Sequence, residues 1–312
     1  MNRSEIRKIG GSNIASILGK SPYESAHSLY LRLTGELPPK DDCDVMRWGR
    51  ELESRVADMF ADGHDEYTIE PHGMVTHPDY DFLIASPDRI LLQDGKPVGV
   101  LEIKTSDIGM RQEFGEQMTD EIPFHFILQL TWYLGMMNLP EGYVAVYFRK
   151  PGRKAFAAYQ EHYVKFEPDL FGFMVQKAVE FWNNHVVPRI APEITEPDAI
   201  TVEYYSRRER NKDSMMFSDE VLEDQIEKFR LAQSHLKEAK RMEELEKTQL
   251  LEMMGTSEGI IDRYTGKNIL TFKEQSNTSF DHKALCADLE LDDEVIEKYR
   301  RKTRFRVLRL AK

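Results

Sequence analysis

Long hydrophobic runs and cysteines are scarce in this sequence. No apolar run approaches the ~20 residues that a membrane-spanning helix needs, and no signal-peptide core follows Met1. The two cysteines, Cys43 and Cys286, lie far apart and outside any metal-ligand spacing. Neither a disulfide framework nor a cysteine-based zinc site is therefore expected. These absences predict a reduced protein of the cytoplasm with no membrane association.

Positive charge is also scarce, but it is unevenly distributed. The chain of 312 residues carries a net charge of -12, which taken alone argues against a nucleic-acid partner. The last fifteen residues, 298–312, nevertheless contain eight lysines or arginines and no acid, and residues 206–212 form a second basic run. Such segregated basic surfaces can bind a phosphate backbone locally, although a charge run is also typical of an ordinary solvated face.

The order of predicted elements indicates the fold class. A strand–helix–strand succession in the first half predicts an α/β protein with a central mixed β-sheet flanked by helices. Prolines at 188, 192 and 197 then interrupt the chain. We therefore predict a core domain at 1–190 and a C-terminal extension at 191–312. The extension is expected to contain a long amphipathic helix or a helix pair over 219–254, a β-hairpin over 259–273 and a basic tail with a strand at Phe305–Leu310.

The chemistry-bearing stretch lies between Ser86 and Thr105. Asp88 follows a proline, and Glu102 and Lys104 stand two positions apart on an apolar strand. Residues i and i+2 of a strand point to the same side, and a hairpin would bring Asp88 beside them. Two carboxylates suit a hard cation such as Mg²⁺, and a neighbouring lysine can orient or activate a water.

Two further features allow more than one interpretation. Gly10-Gly11-Ser12 at a predicted helix start would expose backbone N–H groups and a hydroxyl to a phosphate, with Arg7 upstream as a cation. The same residues are equally typical of a turn and cap. Glu53 lies one position off an apolar helical stripe, so it is either a solvated surface acid or a third carboxylate directed toward the cluster.

Taken together and in order, these motifs resemble those of the PD-(D/E)XK nucleases, specifically the lambda-type exonucleases and YqaJ-like viral recombinases. The resemblance extends over residues 7–187. It rests on Gly10-Gly11-Ser12, Trp48-Gly49 with Glu53, Ser86-Pro87-Asp88, Leu101-Glu102-Ile103-Lys104, and Gln129 with Tyr133. It implies a restriction-endonuclease-like core and an origin in a phage or prophage of a bacterial host.

The resemblance also implies a role for each motif residue. Asp88, Glu102, Glu53 and the backbone carbonyl of Ile103 would hold two Mg²⁺ ions, with Mn²⁺ as a substitute. Lys104 would position or deprotonate the attacking water, and Gln129 would support the cluster or contact the scissile phosphate. The 5′-terminal phosphate and adjacent DNA would be bound by Gly11, Ser12, Arg7 and Ser86. Arg111 and the loop at 20–23 are further candidate DNA contacts.

The implied activity is a processive 5′→3′ exonuclease that acts on linear double-stranded DNA. It would leave 3′ single strands for a single-strand annealing protein, and a homotrimeric ring would reconcile a basic channel with an acidic exterior. Two alternatives stay open: a structure-specific or restriction-type endonuclease with the same core, and a non-catalytic DNA-end-binding protein. Five histidines lack ligand spacing and are predicted to be surface or core residues, namely His27, His64, His72, His77 and His125.

Overall fold

A computed structural model describes residues 8–38, 44–150, 155–209, 215–274 and Lys298. The chain divides into two compact units, one ending at Arg208 and the other beginning at Glu209. Within the described ranges, no helix combines the length and the apolar character needed to cross a membrane. The predictions for Arg7, for the strand at Phe305–Leu310 and for nearly all of the basic tail fall outside the described residues.

Three helices begin the first unit: α1 (Gly11–Ile17), α2 (Ala26–Leu33) and α3 (Asp44–Ala61). The residue at the N-cap of α1 is Gly10, which has no side chain to cap the helix. Asn13 nevertheless contributes, because its Oδ1 accepts a hydrogen bond of 2.9 Å from the Gly10 N–H. Ser25 caps α2 by accepting from the backbone N–H of Ser28.

The first unit is built around a five-stranded sheet with the order β1-β4-β5-β6-β7. Its strands are β1 (Thr68–Pro71), β4 (Arg89–Gln93), β5 (Lys96–Asp107), β6 (Glu141–Arg149) and β7 (Phe156–Lys165). The pair β5–β6 is parallel and the other pairs are antiparallel. Helix α4 (Phe124–Met137) lies between β5 and β6 in the chain, as a parallel crossover requires. The predicted mixed sheet flanked by helices is confirmed.

Helices cover both faces of this sheet. Even-numbered residues such as Val100, Val144 and Val146 pack with α1, α2, α4 and α5 (Pro168–Phe181). Odd-numbered residues such as Leu101 and Ala145 pack with α3. This alternation assigns Glu102 and Lys104 to the α4 face. A minor two-stranded sheet, β2 (Val75–Thr76) with β3 (Ile84–Ala85), precedes the main hairpin.

The first unit extends beyond the predicted boundary at residue 190. A π-helical turn, Trp182–Val186, follows α5, so the regular α-helix ends at Phe181. Helix α6 (Ala199–Arg207) comes next, and its cap residue Asp198 accepts hydrogen bonds from Ser25 N (3.2 Å) and Ser28 Oγ (3.1 Å). These contacts with α2 explain why the compact unit ends at Arg208.

The second unit contains one long helix and a hairpin. Helix α7 (Glu220–Met254) is continuous over 35 residues and begins at an Asp219 cap. Strands β8 (Gly259–Ile261) and β9 (Asn268–Thr271) pair antiparallel. The predicted helical segment and hairpin are therefore confirmed, and the helical segment is one helix rather than two.

Candidate active site

The β4–β5 hairpin positions the first carboxylate. Its turn uses Asp94 and Gly95, both at positive φ (50° and 74°), which Asp and Gly tolerate better than other residues. The resulting register pairs Arg89 with Leu101, so the residue before β4 lies close to the middle of β5. Asp88 Oδ2 accepts a 2.9 Å hydrogen bond from the backbone N–H of Ile103. The prediction that a hairpin brings Asp88 to this part of β5 is confirmed.

Glu102 is the centre of the cluster. Its residue is only 2% exposed, and its Oε1 accepts hydrogen bonds from Lys104 Nζ at 2.5 Å and from Gln129 Nε2 at 2.7 Å. The same Gln129 nitrogen donates to the Tyr133 hydroxyl at 2.8 Å. The second carboxylate oxygen, Oε2, is buried and has no hydrogen-bond partner among the described residues. The structure thus unites Glu102, Lys104 and Gln129 and leaves one carboxylate oxygen open.

The burial of these charges changes their acidity. Desolvation raises the pKa of Glu102 to about 7, although Lys104 opposes the shift, and it also raises the pKa of Asp88. Burial lowers the pKa of Lys104, but Glu102 and Asp88 raise it by more, so the amine remains an ammonium ion. Two carboxylates therefore surround a single ammonium. When both carboxylates are ionised, the site carries one more negative charge than positive charge.

Gly11 connects α1 to this cluster through packing. A Cβ at Gly11 would lie 2.7 Å from Cε1 of Tyr133, so only glycine permits this approach of α1 to α4. Tyr133 in turn contacts Gln129, the residue that holds Glu102. Ser12, the next residue, is exposed. The Gly-Gly-Ser segment is thereby fixed close to the carboxylate cluster.

The remaining predicted site residues lie around this centre. Ser86 is exposed and precedes Pro87-Asp88 directly. Arg111 is exposed on the short 3₁₀-helix Ile108–Glu113, which follows β5. Among the described contacts, neither side chain makes a hydrogen bond or an ion pair with Glu102 or Lys104. Both are exposed positions, one two residues before Asp88 and one in the segment that follows β5.

Glu53, the candidate third carboxylate, is paired with an arginine in this structure. It lies on α3, and its Oε1 accepts a 2.5 Å hydrogen bond from Arg89 Nη1. Arg89 follows Asp88, and alternation along β4 turns its side chain to the α3 face. Glu53 is close enough to contribute to the raised pKa of Asp88, after the larger effect of burial. Glu53 is therefore not a plain surface acid, because the Arg89 Nη1 that binds it also donates a 2.6 Å hydrogen bond to the backbone carbonyl of Asp88.

The donor set can be tested against a divalent cation. Within the described residues, no group of three or more His, Cys, Asp or Glu side chains is arranged to hold a metal ion. Two carboxylates do converge, and one of them has a buried oxygen without a partner. Hard cations such as Mg²⁺ take one or two protein carboxylates together with waters and substrate phosphates. Asp88 and Glu102 fit that requirement.

The segment that carries this geometry matches a known protein family. Residues 3–139 match the model of the YqaJ-like viral recombinase domain. The match includes every element of the cluster from Gly11 to Gln129 and confirms the predicted resemblance to YqaJ-like viral recombinases over that part of the chain. The chain is also 26% identical over 302 residues to the uncharacterized protein YqaJ of Bacillus subtilis (strain 168), covering 96% of this chain and 89% of that protein.

Solved structures with partial likeness include two exonucleases. The alkaline exonuclease LHK-Exo from Laribacter hongkongensis aligns at 17% identity with a TM-score of 0.44, covering 64% of this chain and 91% of that chain. A phage related exonuclease from Haemophilus somnus 129PT aligns at 11% identity with a TM-score of 0.42, covering 57% and 94%.

Two histidines with notable contacts, one near the cluster and one on the opposite face of the sheet, were not predicted as functional. His125 lies one helical turn before Gln129 on α4, and its ring packs edge-on against Tyr23, with 5.6 Å between centroids. The spacing i, i+4 places His125 and Gln129 on one face of the helix, which is the signal that could have identified it. On the α3 face, His64 binds Glu161 and Glu66. The His64–Glu161 contact joins residues 97 positions apart, so no local sequence pattern predicts it.

Proposed function

We propose that this protein is a metal-dependent deoxyribonuclease that degrades linear double-stranded DNA from its 5′ ends. The observation that carries the proposal is the open, buried Oε2 of Glu102 beside Asp88 and Lys104. A buried carboxylate oxygen without a partner costs free energy, and a cation from solution would satisfy it. The family match and the names of the exonucleases with partial likeness support a nucleic-acid substrate.

Mg²⁺ would be held by Asp88, Glu102 and the backbone carbonyl of Ile103, with Mn²⁺ as a substitute. When bound, it would stabilise charge on the attacking and leaving oxygens of an in-line displacement at phosphorus. A second ion would need Glu53, whose carboxylate is bound by Arg89 in this structure. Glu53 would therefore have to exchange Arg89 for the ion.

The chain's own residues supply positioning. Lys104 Nζ lies at the edge of the carboxylate pair, where it would orient the attacking water toward the scissile phosphate. The Nε2 of Gln129 donates one hydrogen bond to Glu102 and another to the Tyr133 hydroxyl. The Glu102 carboxylate is thereby held in a single orientation. Preorganised groups of this kind need little rearrangement during the reaction.

Selection of the DNA end would fall to the surface around the cluster. Ser12 and Ser86 are both exposed, and Gly11 fixes the first of them near α4. We propose that they bind the 5′-terminal phosphate together with Arg7, and that Arg111 contacts the adjacent strand. A homotrimeric ring, processive digestion and delivery of 3′ single strands to an annealing protein in the bacterial cytoplasm complete the proposal.

The decisive experiment uses linear duplex DNA labelled at one 5′ or one 3′ terminus. With Mg²⁺ and a 5′ phosphate, release of the 5′ label as mononucleotide is expected at once, whereas the 3′ label should stay in long strands. Activity should disappear in EDTA and in Asp88→Asn. Full activity in EDTA would refute metal dependence, and early release of the 3′ label would refute the polarity.

A covalently closed circular duplex separates the alternatives. An exonuclease spares it, whereas an endonuclease of the same core linearises it. A DNA-end-binding protein without activity would retain linear DNA and leave every label in place. Light scattering tests the ring, because a trimer has three times the mass of the 36.4 kDa chain.

A further inference from the structure

We propose that Tyr23 and His125 form a nucleoside-binding platform that stacks the base of the nucleotide at the scissile end. The two rings meet at right angles, with 5.6 Å between their centroids. His125 is fixed from below, because Phe126 lies 4.0 Å from it by centroid distance and belongs to the same helix. The Tyr23 ring is 66% exposed and stands free for a planar ligand.

The platform adjoins the reacting groups. Lys104 Nζ lies 5.4 Å from the centroid of the Phe126 ring, and both Tyr23 and His125 interact electrostatically with its ammonium. A phosphodiester placed beside Lys104 and Glu102 therefore brings its attached nucleoside to these rings. The platform inference depends on the proposed nuclease function for this orientation.

His125 carries a second sign of an unfilled site. Its Nε2 is buried and has no hydrogen-bond partner among the described residues. Burial also keeps the ring neutral, since desolvation lowers its pKa to about 4, with a smaller effect from Lys104. A neutral imidazole offers a flat, uncharged surface, and its unpaired Nε2 can exchange a hydrogen bond with a polar group of a sugar or base.

Space for a nucleotide exists in a cavity that Tyr23 itself lines. A cavity of about 810 Å³ lies between residues 17–26 and residues 195–199, and Tyr23, Lys20 and Ser21 line it. This volume is within the range of small-molecule sites. Two acids in its wall are already engaged: Glu24 pairs with Arg32, and Asp198 binds Ser25, Ser28 and Thr201. Stacking on an aromatic ring accepts any base, as a nuclease without sequence preference requires.

Ligand binding tests the platform without turnover. Isothermal titration with deoxyguanosine 5′-monophosphate and with deoxyribose 5-phosphate isolates the contribution of the base, since both share the sugar and phosphate. The wild-type protein should bind the nucleotide roughly tenfold more tightly. Tyr23→Ala should abolish that difference, whereas Tyr23→Phe, which keeps the ring, should retain it. His125→Phe, which keeps a ring but lacks Nε2, should weaken nucleotide binding roughly fivefold.

A kinetic cycle provides the second test. Linear duplex with abasic residues at all four strand termini should show a KM roughly tenfold above that of natural DNA, with kcat changed less. In Tyr23→Ala the natural and abasic substrates should become equivalent. Phe173→Ala is the matched control, because Phe173 is 47% exposed on α5 and contacts Lys177 rather than the site.

The outcomes separate the platform from the proposed nuclease. Equal affinity for the two small ligands, or an undiminished difference in Tyr23→Ala with native circular dichroism, overturns the platform even if DNA is degraded. A wild-type protein that fails to degrade DNA but discriminates the two ligands through Tyr23 overturns the nuclease and retains a nucleotide-binding site.

Discussion

Two buried glutamates on opposite faces of the same sheet differ in how their carboxylate oxygens are hydrogen-bonded. Both oxygens of Glu161, on the α3 face, have partners: Oε1 accepts from the Tyr159 hydroxyl at 2.8 Å, and Oε2 contacts His64 Nε2 at 2.9 Å. Glu102, on the α4 face, has Lys104 and Gln129 on one oxygen and no described partner on the other. The satisfied carboxylate joins two segments, whereas under the proposed function the unsatisfied one takes a ligand.

The surroundings of the two carboxylates differ as well. Tyr159 and His64 contact different oxygens of Glu161, whereas Glu102 is almost completely buried and its burial raises its pKa to about 7. Native proteins leave few buried polar groups unpaired, and such exceptions concentrate at functional sites. Four predictions test this contrast.

The largest effect is expected from Glu102→Gln. It should reduce DNA degradation at least about a hundredfold, because a bound divalent cation contributes several kcal/mol to transition-state stabilisation. Thermal stability at pH 8 should be equal or higher, since a carboxylate whose folded pKa is raised from 4.5 to about 7 loses its contribution to stability as pH rises between those values. Nuclease assays and calorimetry measure the two quantities.

The matched control for that variant is Glu161→Gln, which likewise replaces a buried carboxylate with an amide of the same shape. Its activity per folded molecule should be unchanged. A large loss of activity in Glu161→Gln, or none in Glu102→Gln, would remove the distinction between the two sites.

Gln129→Leu should have the next largest effect. Loss of its 2.7 Å hydrogen bond releases Glu102 from one orientation, and residues that orient ligands typically contribute 10- to about 100-fold. The expected result is a lower kcat and a higher Mg²⁺ concentration for half-maximal activity. If kcat falls with an unchanged Mg²⁺ requirement, Gln129 contacts the substrate instead of orienting Glu102.

Glu161→Ala should destabilise the first unit without affecting chemistry. It leaves the Tyr159 hydroxyl and His64 Nε2 without their partner, which costs roughly 1–3 kcal/mol for a buried group. Chemical denaturation measures this loss. A double-mutant cycle with Tyr159→Phe should reveal coupling between the two residues, and strictly additive effects would show that the contact contributes nothing.

The smallest effect concerns the pH dependence of stability. Burial lowers the pKa of His64, but hydrogen bonds to Glu161 and Glu66 raise it by more, so the folded value exceeds 6.5. The contribution to stability is therefore complete below pH 6.5 and is lost as pH rises through the folded pKa. Melting temperatures of the wild type should fall over that range, and those of His64→Gln should fall less. Parallel curves would contradict the assigned protonation.

Much of the site was predictable because its geometry is local. Asp88, Glu102 and Lys104 lie within one hairpin, so strand alternation and a two-residue turn fix their relation. The sheet class and the long helix followed from hydrophobic periodicity for the same reason. The end of the first unit was not predicted, because the contacts of Asp198 and Tyr205 with α2 are formed by residues more than 160 positions away.

The sequence by itself determined that two acids and a lysine would meet on one side of a strand. Only the tertiary structure decided how deeply each of them is buried and which partners it binds. Packing of α4 buried Glu102, directed Gln129 to one of its oxygens and left the other open. Packing of α3 placed Glu53 on the other face, where Arg89 binds it. The physical reason is that burial and partner choice depend on which distant helix covers each face, whereas side-chain direction along a strand does not.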